Sequence, residues 1–277
     1  MSQPPAPPPL REVVTTLAAL RKEVEELLPS VHLATRSHAD REFFGFMQLA
    51  IGNVAAIETL AKADKRLVMA GTAAARAAYE VMVTATWLVA TDDLLERERR
   101  WAALLADERK FWRRVFDDAS RQRQESDDSA EWQELDESVK SATAEVQRVE
   151  AIITAVQPQL DAARAGQVKP VPNVEEMLEQ IGKPGHYVIY KTACQLVHPA
   201  NRALALVRDF RETHREDLPV ATYSYRTTER DWWIAIMLGA ESLVMGLETL
   251  AAWLKGPPLS QRAAGLFNDI LAKARTL

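Results

Sequence analysis

The 277-residue chain predicts an all-α protein: a helical bundle with two central apolar helices and a long charged helical hairpin. Three observations carry that prediction. Its ten glycines and fourteen prolines fall mostly in clusters, and the clusters separate long segments of helical period. Two of these segments are apolar on nearly every side, as helices buried inside a bundle are. The stretch between them is dense in charge interleaved with tryptophan and shows no strand alternation.

The first nine residues, MSQPPAPPP, are too rich in proline for helix or sheet and read as an extended arm outside the fold. A first helix is expected over 10–28, stopped by Pro29. A second begins after Ser37, a good N-cap, and carries Phe43, Phe44, Met47, Ile51, Val54, Ile57 and Leu60 near one side. The third, over about 67–91, reads LVMAGTAAARAAYEVMVTATWLVAT, and its only charges are Arg76 and Glu80. Charges at mid-span are costly in lipid, whereas a protein interior can supply partners, so the helix is expected inside protein and not across a membrane. The same holds for WWIAIMLGAESLVMGLETLAAWL over 232–254, interrupted by Glu241 and Glu248.

Between the two apolar helices, 94–124 is a charged helix, ESDDSA a polar turn, and 131–165 a second charged helix kinked or ended near Pro158. Together 94–165 form a hairpin projecting from the bundle or flanking it, within a single helical domain over 10–277. Such a hairpin is a natural surface for a homo-oligomer or a protein partner. Short helices follow over 174–181, ended at Gly182 as a C-cap, and over 187–197, before Pro199. A further helix is expected to about residue 214, and a terminal amphipathic one from Leu259.

A net charge of −5 argues against a general nucleic-acid coat, and one cysteine closes no internal disulfide. With no secretion-signal pattern at the start, the cytoplasm is the expected location. There is no phosphate-binding glycine loop, Rossmann fingerprint, His-Glu-x-x-His, Cys-x-x-Cys or Gly-x-Ser-x-Gly, so no cofactor is expected. Glu58, Glu80, Glu241 and Glu248 sit in apolar helices, but the two Glu-x-x-His pairs of a bundle-core di-iron site are missing, so no metal is expected either.

The candidate site lies in YKTACQLVHPANR, 190–202. Residues four apart stack along one helical stripe, so Tyr190, Cys194 and His198 form a column with Tyr187 beside it. Pro199 frees carbonyl groups and pushes His198 out of helical dihedrals. Arg76 and Glu80, one turn apart in an apolar helix, are too costly to bury unpaired. The economical arrangement pairs them with each other and lets one of them reach Tyr190, His198 or the freed carbonyls. This gives a polar pocket of Arg76, Glu80, Tyr187, Tyr190, Cys194 and His198. The same set also fits a satisfied network that only fixes helix register. Cys194 reads better as a small hydrophobe than as a nucleophile.

Arg76-x-x-x-Glu80 in an apolar helix, followed far downstream by Tyr190-x-x-x-Cys194-x-x-x-His198-Pro199, resembles a group of bacterial helical proteins catalogued as domain of unknown function 5677. The resemblance implies an all-helical fold and no established chemistry. That group has a serine where this chain has Cys194, so a hydroxyl role is not carried over. RDFRETH, 208–214, resembles the Arg-x4–6-His motif of helical ribonucleases of the HEPN superfamily. That likeness would make Arg208 and His214 the catalytic pair acting on a scissile phosphate. The charged helix with Trp101, Phe111 and Trp112 could follow an RNA backbone, although its interleaved acids and bases fit a solvated face better. The preferred expectation is a helical binding or regulatory module of a cytoplasmic bacterial protein. The alternative is a metal-independent HEPN-like endoribonuclease of a toxin or phage-defence system.

Overall fold

A computed structural model describes residues 10–28, 37–125, 129–162, 170–197, 228–254 and 260–274. Among these residues the chain forms α-helices and short 3₁₀ turns and no strand, an all-α bundle as the periodicity predicts. The helices are α1 (Leu10–Leu27), α2 (His38–Ala63), α3 (Val68–Val89), α4 (Leu94–Glu125) and α5 (Ser129–Ala162). They are followed by α6 (Val174–Gln180), α7 (Tyr187–Val197), α8 (Trp233–Leu254) and α9 (Gln261–Ala274). The chain divides into two compact units: Met1–Ala34 with Phe43–Val89 and Val174–Leu277, and Thr35–Glu42 with Ala90–Asn173.

In the first unit the apolar pair α3 and α8 pack along each other, α1 packs on α8 and α9, and α6 and α7 pack on α3. Why α8 carries glycines is a matter of distance. A Cβ at Gly239 would stand 2.9 Å from Ile57 Cδ1, and one at Gly246 would stand 3.1 Å from Met47 Cε, so the two glycines let α2 lie close against α8. Phe43, Met47, Val54 and Ile57 of α2 are buried, each contributing about 1.5–3 kcal/mol of apolar transfer. Glu58 of α2 is buried under Arg21 of α1 at 2.7 Å. α2 and the segment Glu229–Trp253 are long and apolar enough to cross a membrane, but 83% of the second one's apolar window is buried inside the protein.

Local signals set the helix ends. Ser37 Oγ accepts the Asp40 N–H at 3.1 Å, and Ser260 Oγ accepts that of Ala263 at 3.1 Å. Gly182 takes φ +75°, while Lys183 N–H bonds Leu178 O and Gly182 N–H bonds Glu179 O, a Schellman ending for α6. Pro158 does not stop α5, which continues to Ala162. Pro158 lacks the N–H that would have served the carbonyl of Thr154, so one intrahelical bond is given up one turn before the helix ends.

In the second unit α4 and α5 run antiparallel, tied by Arg113–Glu150 at 2.5 Å and Arg123–Asp136 at 2.8 Å. Ala142, Val149 and Val156 recur every seven residues and are buried, so α5 offers a coiled-coil seam to the seam of Trp101, Leu105 and Ala119 on α4. At its base the His38 ring stacks on Trp101 at 4.4 Å, and buried Asp40 pairs with Arg97 at 3.3 Å.

Candidate functional site

The α3–α7 face is built from two helical stripes. Arg76, Tyr79 and Glu80 stand at i, i+3 and i+4 on α3, and Tyr187, Tyr190 and Cys194 at i, i+3 and i+7 on α7, so each set projects from one side. α7 packs on both α3 and α8. The turn leading into it is fixed by α6, which is tied to α3 through Trp87 Nε1–H bonding Gln180 Oε1 at 2.8 Å.

Where the stripes meet, one oxygen collects two donors. Arg76 Nε–H donates to Glu80 Oε1 at 2.8 Å, and the Tyr190 hydroxyl donates to the same oxygen. The rings form a staircase: Tyr79 stacks on Tyr190 at 6.0 Å, and Tyr190 lies 6.0 Å from Tyr187. Cations sit over its faces, Arg76 at 5.9 Å from the Tyr190 centroid and Lys191 Nζ at 5.7 Å from that of Tyr187. The Arg76 and Glu80 side chains keep 24% and 34% of their surface exposed. The network is therefore roofed by rings but reachable from water.

Titration follows from this setting. Burial pushes the Tyr190 phenol up, and its hydrogen bonds with Cys194 and Glu80 push it further. For Arg76 burial opposes the charge, but the hydrogen bond and charge of Glu80 prevail and hold the guanidinium above its ordinary value. Desolvation and the charge of Glu175 raise the Tyr187 phenol. These directions keep both phenols protonated and Arg76 charged at neutral pH.

A second polar group lies on the other side of Tyr79. Glu241 and Glu248 stand seven apart on α8 and so share a face. The 3₁₀ turn Pro184–His186 brings His186 Nδ1 to 3.6 Å from Glu241 Oε2, and Lys183 Nζ, just before it, lies 2.9 Å from Glu248 Oε2. The first distance is a charge contact too long for a hydrogen bond. Burial raises the Glu241 carboxyl, with His186 and Lys183 pulling it partly back and Glu248 adding to the rise. Tyr79 is 1% exposed, and its hydroxyl has no hydrogen-bond partner among the described residues. Burial and the charge of Glu241 push its phenol up.

Of the pocket residues read from the sequence, Arg76, Glu80, Tyr190 and Cys194 converge on this face, and Tyr187 stands at its edge. His198 and Pro199 lie outside the described residues, as do Arg208 and His214. Tyr79, Lys183 and His186 were not anticipated. Their signal was indirect: two carboxylates seven apart in an apolar helix demand cations, and Lys183 and His186, three apart in a Gly-Lys-Pro-Gly-His turn, could supply them. Among the described residues no group of three His, Cys, Asp or Glu side chains is placed to hold a metal ion.

Neither the curated proteins nor the solved structures include a match to this chain. The profile of a family of unknown function, DUF5677, matches residues 44–216, from α2 past the end of α7. The matched segment contains Arg76, Glu80, Tyr190 and Cys194 and spans well over half of the sequence, and the protein belongs to that family.

Proposed function

We propose that this protein is a cytoplasmic helical binding or regulatory module whose ligand face is the α3–α7 surface around Arg76, Glu80, Tyr187 and Tyr190. The observation that carries the reading is the shared Glu80 oxygen: it holds a guanidinium and a phenol in fixed geometry where the carboxylate is one-third open to solvent. A polar network that only sets helix register gains nothing from that opening, because water competes with every bond in it. A ligand face needs it. The half-buried Tyr187 ring, covered on one side by Lys191, supplies an amphipathic rim. The test is complementation of a deletion strain with Glu80→Gln and Tyr187→Ala, scored per folded molecule. Loss of the phenotype with the fold intact supports the binding face; full complementation by both refutes it.

A second reading, a metal-independent HEPN-like endoribonuclease of a toxin or phage-defence system, is supported by the position of Arg208 and His214 inside the family segment 44–216. It expects cleavage of transfer RNA in EDTA by the purified protein and its loss in His214→Ala. Intact RNA across a wide protein concentration range ends it.

A further inference from the structure

Four buried side-chain atoms have no hydrogen-bond partner among the described residues: Tyr79 Oη, His186 Nδ1 and the Nε atoms of Arg99 and Arg109. An arginine has four further N–H groups to spend, so its Nε is a small loss; a tyrosine has only its hydroxyl. Tyr79 and His186 also share a neighbour. The Glu241 carboxyl meets His186 Nδ1 at 3.6 Å, too far to bond, and makes no hydrogen bond among the described residues. Tyr79, 1% exposed, stands on α3 where α3 packs on α8, and the charge of Glu241 reaches its hydroxyl. An imidazole this close would close on the carboxylate if it were free to move. Its turn holds it back: Gly182 ends α6 at φ +75°, Lys183 N–H bonds Leu178 O at 2.8 Å, His186 N–H bonds Lys183 O at 3.1 Å, and Lys183 Nζ is committed to Glu248 at 2.9 Å. The three groups are thus kept from satisfying one another, at a cost in unmade hydrogen bonds that a purely structural contact would avoid. The His186 and Glu241 side chains keep 31% and 16% of their surface, so the cluster can be reached from solvent on that side.

We infer that Tyr79, Glu241 and His186 form a second binding site, separate from the Glu80 face, and that its ligand is a small ammonium-type cation: ammonium itself or the terminal NH3+ group of a primary amine. Charge selects the sign. Lys183 and Glu248 neutralise each other and Arg76 is paired with Glu80, so an anion would meet the Glu241 carboxylate with no cation to spare for it. Burial and Glu248 raise the Glu241 carboxyl against the pull of His186 and Lys183, the response of a charge short of its counter-charge, and a bound cation supplies what a proton otherwise would. Hydrogen bonding selects N–H donors. A carboxylate oxygen, a phenol oxygen and Nδ1 of a neutral imidazole all accept, and one ammonium group carries enough donors for the three. Water carries two donors and no charge. A metal ion would find one carboxylate beside a phenol that burial keeps protonated, and among the described residues no three His, Cys, Asp or Glu side chains gather to hold one.

Hydrogen exchange of the full-length protein tests it, read in the peptides of α8 and of the 182–187 turn at constant pH and ionic strength. Ammonium chloride and methylammonium chloride slow exchange there saturably, whereas sodium, potassium and tetramethylammonium chloride, whose cations have no N–H, do not. A response to both N–H cations supports an amine head group as the ligand, and a response to ammonium alone supports the free ion. Tyr79→Phe separates binding from folding. It removes a hydroxyl that bonds nothing among the described residues, so without ligand the variant is at least as protected as the wild type. Its dissociation constant for ammonium nevertheless rises about tenfold or more, the loss of one hydrogen bond to a charged group. Glu241→Gln keeps the shape, removes the charge and abolishes the response. Equal protection by potassium and ammonium overturns the inference. So does the lack of a saturable response to either N–H cation, or an unchanged affinity in Tyr79→Phe.

Discussion

Removing the Tyr190 hydroxyl is the sharpest probe of the shared carboxylate. In Tyr190→Phe the ring remains against Tyr79, and the hydroxyl's bonds with Glu80 and Cys194 are lost. A hydrogen bond to a charged group has a net worth of about 1.5–3 kcal/mol, and the lower end applies because water can replace the phenol at a carboxylate that is 34% exposed. Arg76→Gln removes a partly shielded i,i+4 pair and a cation–ring contact, together about 1 kcal/mol. Arg76 also fixes the Glu80 rotamer that receives Tyr190, so without it the phenol bond is weaker to begin with. The double variant should therefore lose about 0.5–1 kcal/mol less than the two single losses added.

The measurement must be local. With two compact units in one chain, a single global unfolding transition does not define the stability of this face. Hydrogen exchange of α3 and α7 peptides reads the opening free energy where the bonds are. Additivity to within about 0.3 kcal/mol would refute the argument, since it would mean that Arg76 and Tyr190 act on Glu80 independently.

Three further outcomes follow from the packing. Gly71→Ala places a Cβ 2.3 Å from the Trp232 ring, which is itself tied to Lys65 O at 2.8 Å, and should destabilise by about 1–3 kcal/mol; in Gly246→Ala the new atom meets the yielding ends of Met82 and Met47, so thermal melts should show a much smaller change. Arg97→Met leaves Asp40, 1% exposed, without its cation and should cost about 3–5 kcal/mol in urea titrations read through Trp101. Glu241 has a folded-state pKa raised by burial, so its contribution is fully present below the ordinary carboxylate range and declines as pH rises through the raised value. Glu241→Gln, which keeps the neutral form, should gain stability relative to wild type at pH 7 and lose that gain near about pH 4, and equal stability differences at both values would contradict the sign.

Much of the architecture was legible because each helix announces itself within its own length. Ser37 and Gly182 mark ends through bonds to residues three to five away, and the apolar runs of α3 and α8 have few alternatives to burial. Pro158 marks the neighbourhood of an ending and not its exact place, since α5 runs one turn past it to Ala162. The site was legible only in part, and for a related reason. Spacing shows which side chains share a face of one helix, as with Arg76 and Glu80 or Tyr190 and Cys194, but not which faces meet. That Lys183 and His186 answer Glu248 and Glu241, more than fifty residues on, depends on how the turn after α6 is held against α8. That in turn depends on Trp87 gripping Gln180.

The four carboxylates in apolar helices differ in what they can do, and exposure sorts them. The Glu58 side chain keeps 7% of its surface, under Arg21; it can only fix α1 against α2. Glu248 keeps 49% and meets the Lys183 head, an exposed pair worth under about 1 kcal/mol. Glu241 keeps 16%; burial raises its carboxyl, and so little of it is exposed that it offers a ligand on the α3–α7 face no contact surface. Glu80 alone combines a fixed geometry, two charge-assisted donors and an opening to solvent beside aromatic faces. A ligand meeting Glu80 would feel Glu241 only through Tyr79 and Tyr190. Glu241→Gln should therefore leave the intrinsic affinity of that face nearly unchanged while changing the stability that supports it, whereas Glu80→Gln should lower the affinity and the local stability together.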